Sequence, residues 1–234
     1  MHIPDGFIDP KFSSGLAGVA ALALGYCFAK VRQMATAVVP EPALAAIGKG
    51  VHSIKTGSRR MLTAFGENLI LKMGMVASLI FAAQMFNFPI AEGTSGHFLG
   101  GVLAAVLLGP FAGSLALAAV VIIQSLFFAD GGFLALGANL VNMALIGTFL
   151  SYYIYALLKQ KLPEELSIGL AAWLSVVLAA SACALEIGLS GTFDLLATFL
   201  AMFKVHAVIG LAEVLITLGL IKVAGGYFEK NSSI

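Results

Sequence analysis

Charged residues are scarce in this 234-residue chain, where Asp, Glu, Lys and Arg together make up 11% of the sequence. Soluble domains typically contain about 25% charged residues, so the shortage excludes an ordinary soluble globular protein. Hydrophobic residues account for 60% of the sequence, and the mean hydropathy is +1.00. This composition predicts a polytopic membrane protein, and the net charge of +1 gives no reason to expect a nucleic-acid partner.

Residues that could ligate metals or nucleotides are also few. Cys27 and Cys183 are the two cysteines, and both lie in apolar runs, which predicts buried thiols with neither a disulfide nor metal-ligand spacing. There is no Gly-x-x-x-x-Gly-Lys-Ser/Thr loop for phosphates, since Gly48-Lys49-Gly50 lacks both the hydroxyl and the upstream glycine. The chain is therefore not expected to hydrolyse ATP itself.

Long apolar runs are the main feature of the sequence. About 20 residues are needed to cross about 30 Å of hydrocarbon, and the long run from Phe98 to Phe128 divides at Gly109-Pro110 because proline interrupts a helix. The sequence therefore predicts an all-α bundle of about seven transmembrane helices in one domain, 1-234. The other predicted spans are Gly15 to Val31, Leu69 to Phe88, Leu134 to Leu158, Leu166 to Leu189 and Leu195 to Val223.

The distribution of charge predicts the orientation of the bundle. Cytoplasmic loops accumulate Lys and Arg, and an N-terminus outside with a cytoplasmic C-terminus places all but Lys11 and Lys204 at the inner face. The alternative for the first span is a cleaved signal peptide. Asp5 and Asp9 argue against it, because a signal peptide begins with basic residues.

The segment 33-68 is expected to be a cytoplasmic loop of mixed polarity. Ala45 to Ala64 has two interpretations, either short amphipathic helices whose basic residues meet anionic lipid headgroups, or a basic loop that only sets the topology. Either way the segment lies on the side opposite the N-terminus.

The first seven residues, Met-His-Ile-Pro-Asp-Gly-Phe, form a potential metal chelate. The amine of Met1, the backbone amide of His2 and a ring nitrogen of His2 can close fused five- and six-membered rings in one plane. Planar nitrogen sites favour Ni(II) and Cu(II), and Co(II) can share them. One corner of the plane stays open, so the segment 1-14 is predicted to bind metal together with another nitrogen donor.

His97 is the expected fourth donor. The topology places His52 on the inner side, whereas His97 follows Glu92-Gly93-Thr94-Ser95-Gly96 at the outer mouth of the third helix. A histidine there is also often just a structural residue. His206 and Glu213 are ionisable residues inside a span, which indicates function, and we expect them to orient a metal ligand.

Four spaced motifs make the chain resemble the nickel/cobalt substrate-binding (S) components of energy-coupling-factor (ECF) transporters, the CbiM/NikM family. The motifs are the N-terminal MHIPDGF, the stretch from Pro89 to Gly101 containing GTSGH and LGG, FADGGFLALGAN at 128–139 with Asn142-Met143, and HAVIGLAE at 206–213. The segment 33-68 looks longer than in compact members of that family, so its role is not carried over.

The resemblance implies a non-enzymatic subunit of a prokaryotic cell (inner) membrane that binds Ni(II) or Co(II) as the transported ligand, with no other cofactor. It implies metal ligands at Met1, His2 and His97. Its implied partners are an ECF scaffold (T) membrane subunit, ATPase subunits and a small accessory membrane subunit. Residues expected to line or support the site are Asp5, Thr94, Ser95, Asn139, Asn142, His206 and Glu213.

The first span carries small residues at a four-residue spacing, namely Ala17, Ala21, Gly25 and Ala29. Such a stripe permits close helix approach, which serves either the scaffold contact or packing within the chain. Two other functional classes fit less well. A membrane metalloprotease would need a His-Glu-x-x-His pair, which is absent, and an ion-coupled carrier or channel would need more midplane charge and an internal repeat.

Overall fold

Long helices make up most of the chain in the computed structural model, which describes residues 2–40, 58–85, 87–89 and 95–231. The helices are α1 (Pro10–Ala35), α2 (Ala64–Gln84), α3 (Gly101–Phe127), α4 (Leu136–Leu158), α5 (Glu164–Leu189) and α6 (Leu195–Asn231). Two antiparallel ribbons join them: β1 (Thr36–Pro40) with β2 (Ser58–Leu62), and β3 (Asn87–Pro89) with β4 (Ser95–His97).

Six helices in the described ranges are long and apolar enough to cross a membrane, which confirms the all-α membrane bundle. The predicted division of the third run is present inside α3, where Gly109 has a left-handed φ of 78° that a helix does not accommodate. A Cβ on Gly113 would lie 2.9 Å from the backbone of Ala104, so the chain folds back at Gly109. The expected number of seven therefore counts the two parts of α3 separately, and the number of bilayer crossings stays a prediction.

Helix α1 starts earlier and ends later than its apolar run indicated. The Asp9 carboxylate caps the helix by accepting from the backbone N–H groups of Lys11 and Phe12, at 2.9 and 3.1 Å, and Pro10 occupies the first turn, where its missing N–H costs nothing. The N-terminal segment expected at 1-14 thus ends before Pro10. At its other end, α1 continues to Ala35.

The connection expected at 33-68 is shorter than predicted, because α1 and α2 take residues from both of its ends. Its described parts form the β1–β2 ribbon, in which Thr36 pairs with Leu62 and Val38 with Arg60. The proposed helical stretch from Ala45 to Ala64 is therefore wrong at 58–62, where cross-strand pairing overrides helical propensity. Residues 41–57, including His52, lie outside the described residues.

Helix α4 contains a wide turn. Val141–Leu150 is π-helical, and the hydroxyls of Thr148 and Ser151 donate to carbonyls five residues earlier, at 3.1 and 2.9 Å. At Gly147 the helix meets the start of α3 so closely that a Cβ on Gly101 would lie 1.9 Å from the Gly147 carbonyl oxygen. This contact fixes the end of the β4–α3 connection, and π-helical turns are often found at functional sites.

Most of the buried core lies between α2, α3, α4 and α5; α1 and α6 each add a buried residue, and the core extends into the N-terminal segment. Ile3 and Ile8 are 0% and 5% exposed, so the segment before α1 packs as part of the bundle. Large apolar side chains such as Leu22, Leu71 and Leu215 remain exposed, as expected for surfaces that face lipid. The fold therefore holds residues 2–9 against the loops at one end of the helices.

Candidate metal centre

Two buried histidines from distant parts of the sequence meet at this end of the bundle. The His2 and His97 rings have centroids 4.8 Å apart and planes inclined by 74°. His2 is 8% exposed and His97 is 1% exposed. The structure thus brings together the two histidines that the sequence pattern paired, whereas Met1 and Thr94 lie outside the described residues.

The hydrogen bonding of His97 defines its tautomer. Its Nδ1 lies 2.7 Å from the Phe98 carbonyl oxygen, and because a carbonyl only accepts, Nδ1 carries the proton and donates. Nε2 is then an unprotonated nitrogen, and it is buried without a hydrogen-bond partner among the described residues. A backbone carbonyl commonly fixes a metal-binding histidine in this way.

The surroundings keep His97 neutral. Desolvation by burial, followed by the positive charge that His2 would carry, holds the pKa of His97 well below the usual value for histidine. A neutral imidazole is the form that binds metal. His97 is therefore ready to donate a lone pair at pH values where an exposed histidine would be partly protonated.

Asp130 lies beside His2, with Oδ1 at 3.0 Å from His2 Nδ1. The His2 imidazole lowers the pKa of this carboxyl, and partial burial only partly opposes that effect, so the side chain is an anion. Asp130 was not among the residues expected at the site, although it lies in the FADGGFLALGAN motif. The signal available in the sequence was a carboxylate next to two glycines, Asp130-Gly131-Gly132.

Asn139 and Asp5, both expected to line the site, hold the N-terminal segment in place. The Asn139 side-chain amide accepts from Ile3 N at 2.7 Å and donates to Ile3 O at 3.1 Å. The Asp5 carboxylate accepts from the backbone N–H groups of Phe133, Leu134 and Ala135, at 2.8 to 3.3 Å. These bonds tie Ile3 to the first turn of α4 and Asp5 to the residues just before it, which fixes where His2 can lie.

Gly132 lets the segment and the loop approach each other. Its N–H donates to Ile3 O at 2.8 Å, and a Cβ at this position would lie 2.1 Å from Asp5 Oδ1 and 2.4 Å from Asp5 N. Real Cβ atoms do not come that close, so Gly132→Ala should push Asp5 and the N-terminal segment away from the loop.

We expect Gly132→Ala to weaken Ni(II) binding by about 10-fold or more, a cost typical of disturbing groups that position a ligand. Titration calorimetry on the purified protein measures the change. Gly74→Ala in α2 is the matched control, since a Cβ there meets nothing within 4 Å and alanine favours a helix. Equal affinity in the two variants would refute a positioning role for this loop contact.

Glu213 supports the backbone just after His97. Its carboxylate, 1% exposed, accepts from Leu99 N at 2.7 Å and Gly100 N at 2.8 Å. On the other side, Gln84 donates to Leu99 O at 2.7 Å and accepts from Gln124 at 2.8 Å. The two glutamines were missed by the sequence reasoning, because isolated amides in apolar helices show no periodic pattern.

His206 and Asn142 lie deeper in the helices. His206 donates from Nδ1 to Met202 O at 2.8 Å in its own helix, and Asn142 donates to Glu186 at 2.7 Å. Within the described ranges, no hydrogen bond or ring contact joins either residue to His2 or His97. Ser95 begins β4. An orienting role for His206 stays a prediction.

The small-residue stripe on α1 is mostly open to the surroundings. Ala17, Ala21, Gly25 and Ala29 are all exposed, although a Cβ on Gly137 would lie 2.5 Å from the Ala17 backbone. The N-terminal end of the stripe therefore also packs against α4, and its remainder faces away from the bundle.

Side chains alone do not complete a metal site here. In the parts of the chain that the structure describes, no group of three or more His, Cys, Asp or Glu side chains is arranged to hold a metal ion. Four-nitrogen coordination would need main-chain or terminal nitrogens in addition to the imidazoles. The close approach of His2 and His97 is compatible with such four-nitrogen coordination.

Comparison with known proteins identifies related transporters. A family described as "Cobalt uptake substrate-specific transmembrane region", CbiM, matches residues 35–227. A relative in Archaeoglobus fulgidus that carries the name of a fused nickel transport protein, NikMN, is 39% identical over 94% of this chain but only 64% of its own length. The cobalt transport protein CbiM of Acetoanaerobium sticklandii is 27% identical over 81% of this chain and 67% of its own length.

A solved structure shows the same architecture. The crystal structure of a truncated transition metal transporter superposes with a TM-score of 0.79 at 29% sequence identity. The match covers 97% of this chain and 99% of that chain. The helical arrangement described above is thus shared by a transition metal transporter.

Proposed function

The chain belongs to the CbiM family of cobalt uptake substrate-specific transmembrane regions, and from that premise we propose that it captures Ni(II) or Co(II) at the outer face for ATP-driven import. The metal is the transported substrate. Its ligands are the Met1 amine, the His2 amide and imidazole, and the His97 imidazole. Nothing in this assignment makes the chain an enzyme.

One observation carries the proposal: two buried imidazoles lie 4.8 Å apart, and one of them presents an unprotonated Nε2 that has no hydrogen-bond partner among the described residues. An unpaired buried polar atom is costly, and a metal ion would satisfy it. The His2 chelate supplies the other nitrogens, because only Nδ1 of the second residue closes a six-membered ring with its own backbone amide.

The donor set favours late divalent metals. Four nitrogens suit the planar geometry of Ni(II) and are acceptable to Co(II), whereas Mg²⁺ and Ca²⁺ prefer oxygen ligands. Each ligand must lose or lack a proton, and the depressed pKa of His97 removes one source of competition. Discrimination between nickel and cobalt then depends on the fit of the metal within this plane.

Charge placement supports capture from outside. The Lys159–Glu164 and Lys222–Glu165 ion pairs, at 2.6 and 3.2 Å, lie at the helix ends opposite His2 and His97. Arg32 in the last turn of α1 is at that end too. Basic residues favour the cytoplasmic side, so the histidine pair would face the exterior.

Import against a gradient would need partners, because the sequence has no phosphate-binding loop. We assign ATP hydrolysis to paired ATPase subunits and coupling to an ECF scaffold subunit, with a small accessory membrane subunit as a further partner. The exposed part of the α1 stripe offers a surface on which a scaffold helix could approach closely.

Reconstitution tests this function. The chain alone in liposomes should bind metal without accumulating it, and accumulation should require scaffold, ATPases and ATP. Liposomes carrying an ATPase variant that cannot hydrolyse ATP provide the control. Accumulation by the chain alone would instead establish the alternative, a self-sufficient ion-coupled carrier or channel.

A further inference from the structure

A water-accessible cavity of about 360 Å³ lies between the N-terminal segment and the loop after α3. His2 and Asp130 both line it, together with Pro4, Ala129, Gly131 and Phe133. His2 Nε2 is buried without a hydrogen-bond partner among the described residues. The cavity therefore connects solvent to a buried metal-binding side chain.

Asp130 occupies the outer position in this cavity. Its side chain is 29% exposed, whereas the His2 side chain it contacts is 3% exposed. An ion arriving from solvent would thus meet the carboxylate before the imidazole. Carboxylate oxygens bind hydrated divalent cations readily, and a fixed negative charge in a cleft raises the local cation concentration.

The other carboxylate at the cavity is already engaged. Asp5 accepts three backbone N–H groups from the loop, so its charge stabilises local structure. The Asp130 backbone N–H donates to Gln124 O at 3.2 Å, which fixes the loop while leaving the carboxylate to face His2. Of the two, Asp130 is the one positioned to exchange partners.

Chelation requires such an exchange. His2 must bind the metal through Nδ1, and Nδ1 is the nitrogen that lies 3.0 Å from Asp130. Metal binding would therefore separate the imidazole from the carboxylate. A divalent ion bound to one deprotonated amide keeps a charge of +1, and an adjacent carboxylate would neutralise it in this poorly solvated site.

We propose that Asp130 is the first binding group for the incoming divalent cation, passes it to His2, and then remains beside the bound metal as its counter-charge. This inference rests on the proposed function, since it presupposes metal binding at His2 and His97. It assigns the cavity as the access route of the metal ion.

Stopped-flow measurement of Ni²⁺ association with the purified full chain tests the assignment. Asp130→Asn should lower the association rate constant by about 10-fold at low ionic strength and flatten its dependence on salt. The dissociation rate should rise less. Asp130→Glu, which restores the charge, should recover most of the association rate.

Asp194→Asn is the matched control. Asp194 lies at the same end of the bundle and caps α6 by accepting from Ala197 N at 2.8 Å, and asparagine caps equally well. This variant removes the same charge but should keep the wild-type association rate. A purely general effect of net charge would slow both variants equally, and that result would overturn the proposal.

The possible results distinguish a failure of the access role of Asp130 from a failure of the proposed metal-binding function. Wild-type protein that binds Ni²⁺ while Asp130→Asn associates at an unchanged rate would overturn the access role and leave the proposed function standing. Wild-type protein that does not bind metal would overturn both. If Asp130→Asn fails to fold, the wild-type rate still decides, because an association rate independent of salt would contradict capture by a fixed charge.

Discussion

Placing two residues in front of Met1 is expected to weaken Ni(II) binding by more than about 100-fold. The extension converts the terminal amine into an amide and moves the new amine out of reach of the fused rings. Disturbing a group outside the coordination sphere already costs about 10- to 100-fold, so losing a ligand should cost more. Titration calorimetry gives the affinity, and intact mass confirms which residue begins each protein.

The same two residues added after Ile234 provide the control, because that end lies far along the chain from the histidine pair. Acetylation of the Met1 amine should reproduce the loss without adding length. Unchanged affinity in the extended and acetylated proteins would show that the terminal amine is not a ligand, and the planar chelate would then be wrong.

Replacing His97 with alanine should produce a loss of similar size. The structure gives this residue a fixed tautomer, with Nδ1 donating to Phe98 O and Nε2 available, so its removal opens one corner of the coordination plane. Water would fill that corner, leaving the weak peptide chelate alone. The absorption band of a planar four-nitrogen Ni(II) complex should disappear together with tight binding.

His52→Ala is the comparison for this variant. The topology predicted from the sequence puts His52 on the cytoplasmic side, so its loss should leave affinity and spectrum unchanged. Thermal unfolding should be followed in both variants, since His97 is buried and alanine leaves space. Tight binding by a folded His97→Ala protein would show that His97 is not a metal ligand.

Much of the fold could be predicted from the sequence because the membrane imposes simple rules. Length and hydropathy located the helices, and the Gly109-Pro110 pair located the break in α3. The positions of the helix ends were harder to predict from the sequence. Asp9 extends α1 through a cap, and the β1–β2 ribbon depends on pairing between segments about 20 residues apart, which local propensity does not reveal.

The candidate site, too, was predicted only in part from the sequence. The chemistry of an N-terminal histidine and the topology together selected His2 and His97, and the structure brings their rings together. Asp130, Gln84 and Gln124 escaped notice because their roles arise from tertiary contacts. A single carboxylate or amide in a sequence carries no information about what faces it.

Metal ligation is the central claim, and anomalous diffraction from Ni(II)-loaded crystals tests it most directly. A difference map calculated with data collected at the nickel edge should show one strong peak in the plane of four nitrogens, namely the Met1 amine, the His2 amide and Nδ1, and His97 Nε2, each about 2 Å away. A peak elsewhere, or one surrounded by oxygen atoms without His97, would contradict the account.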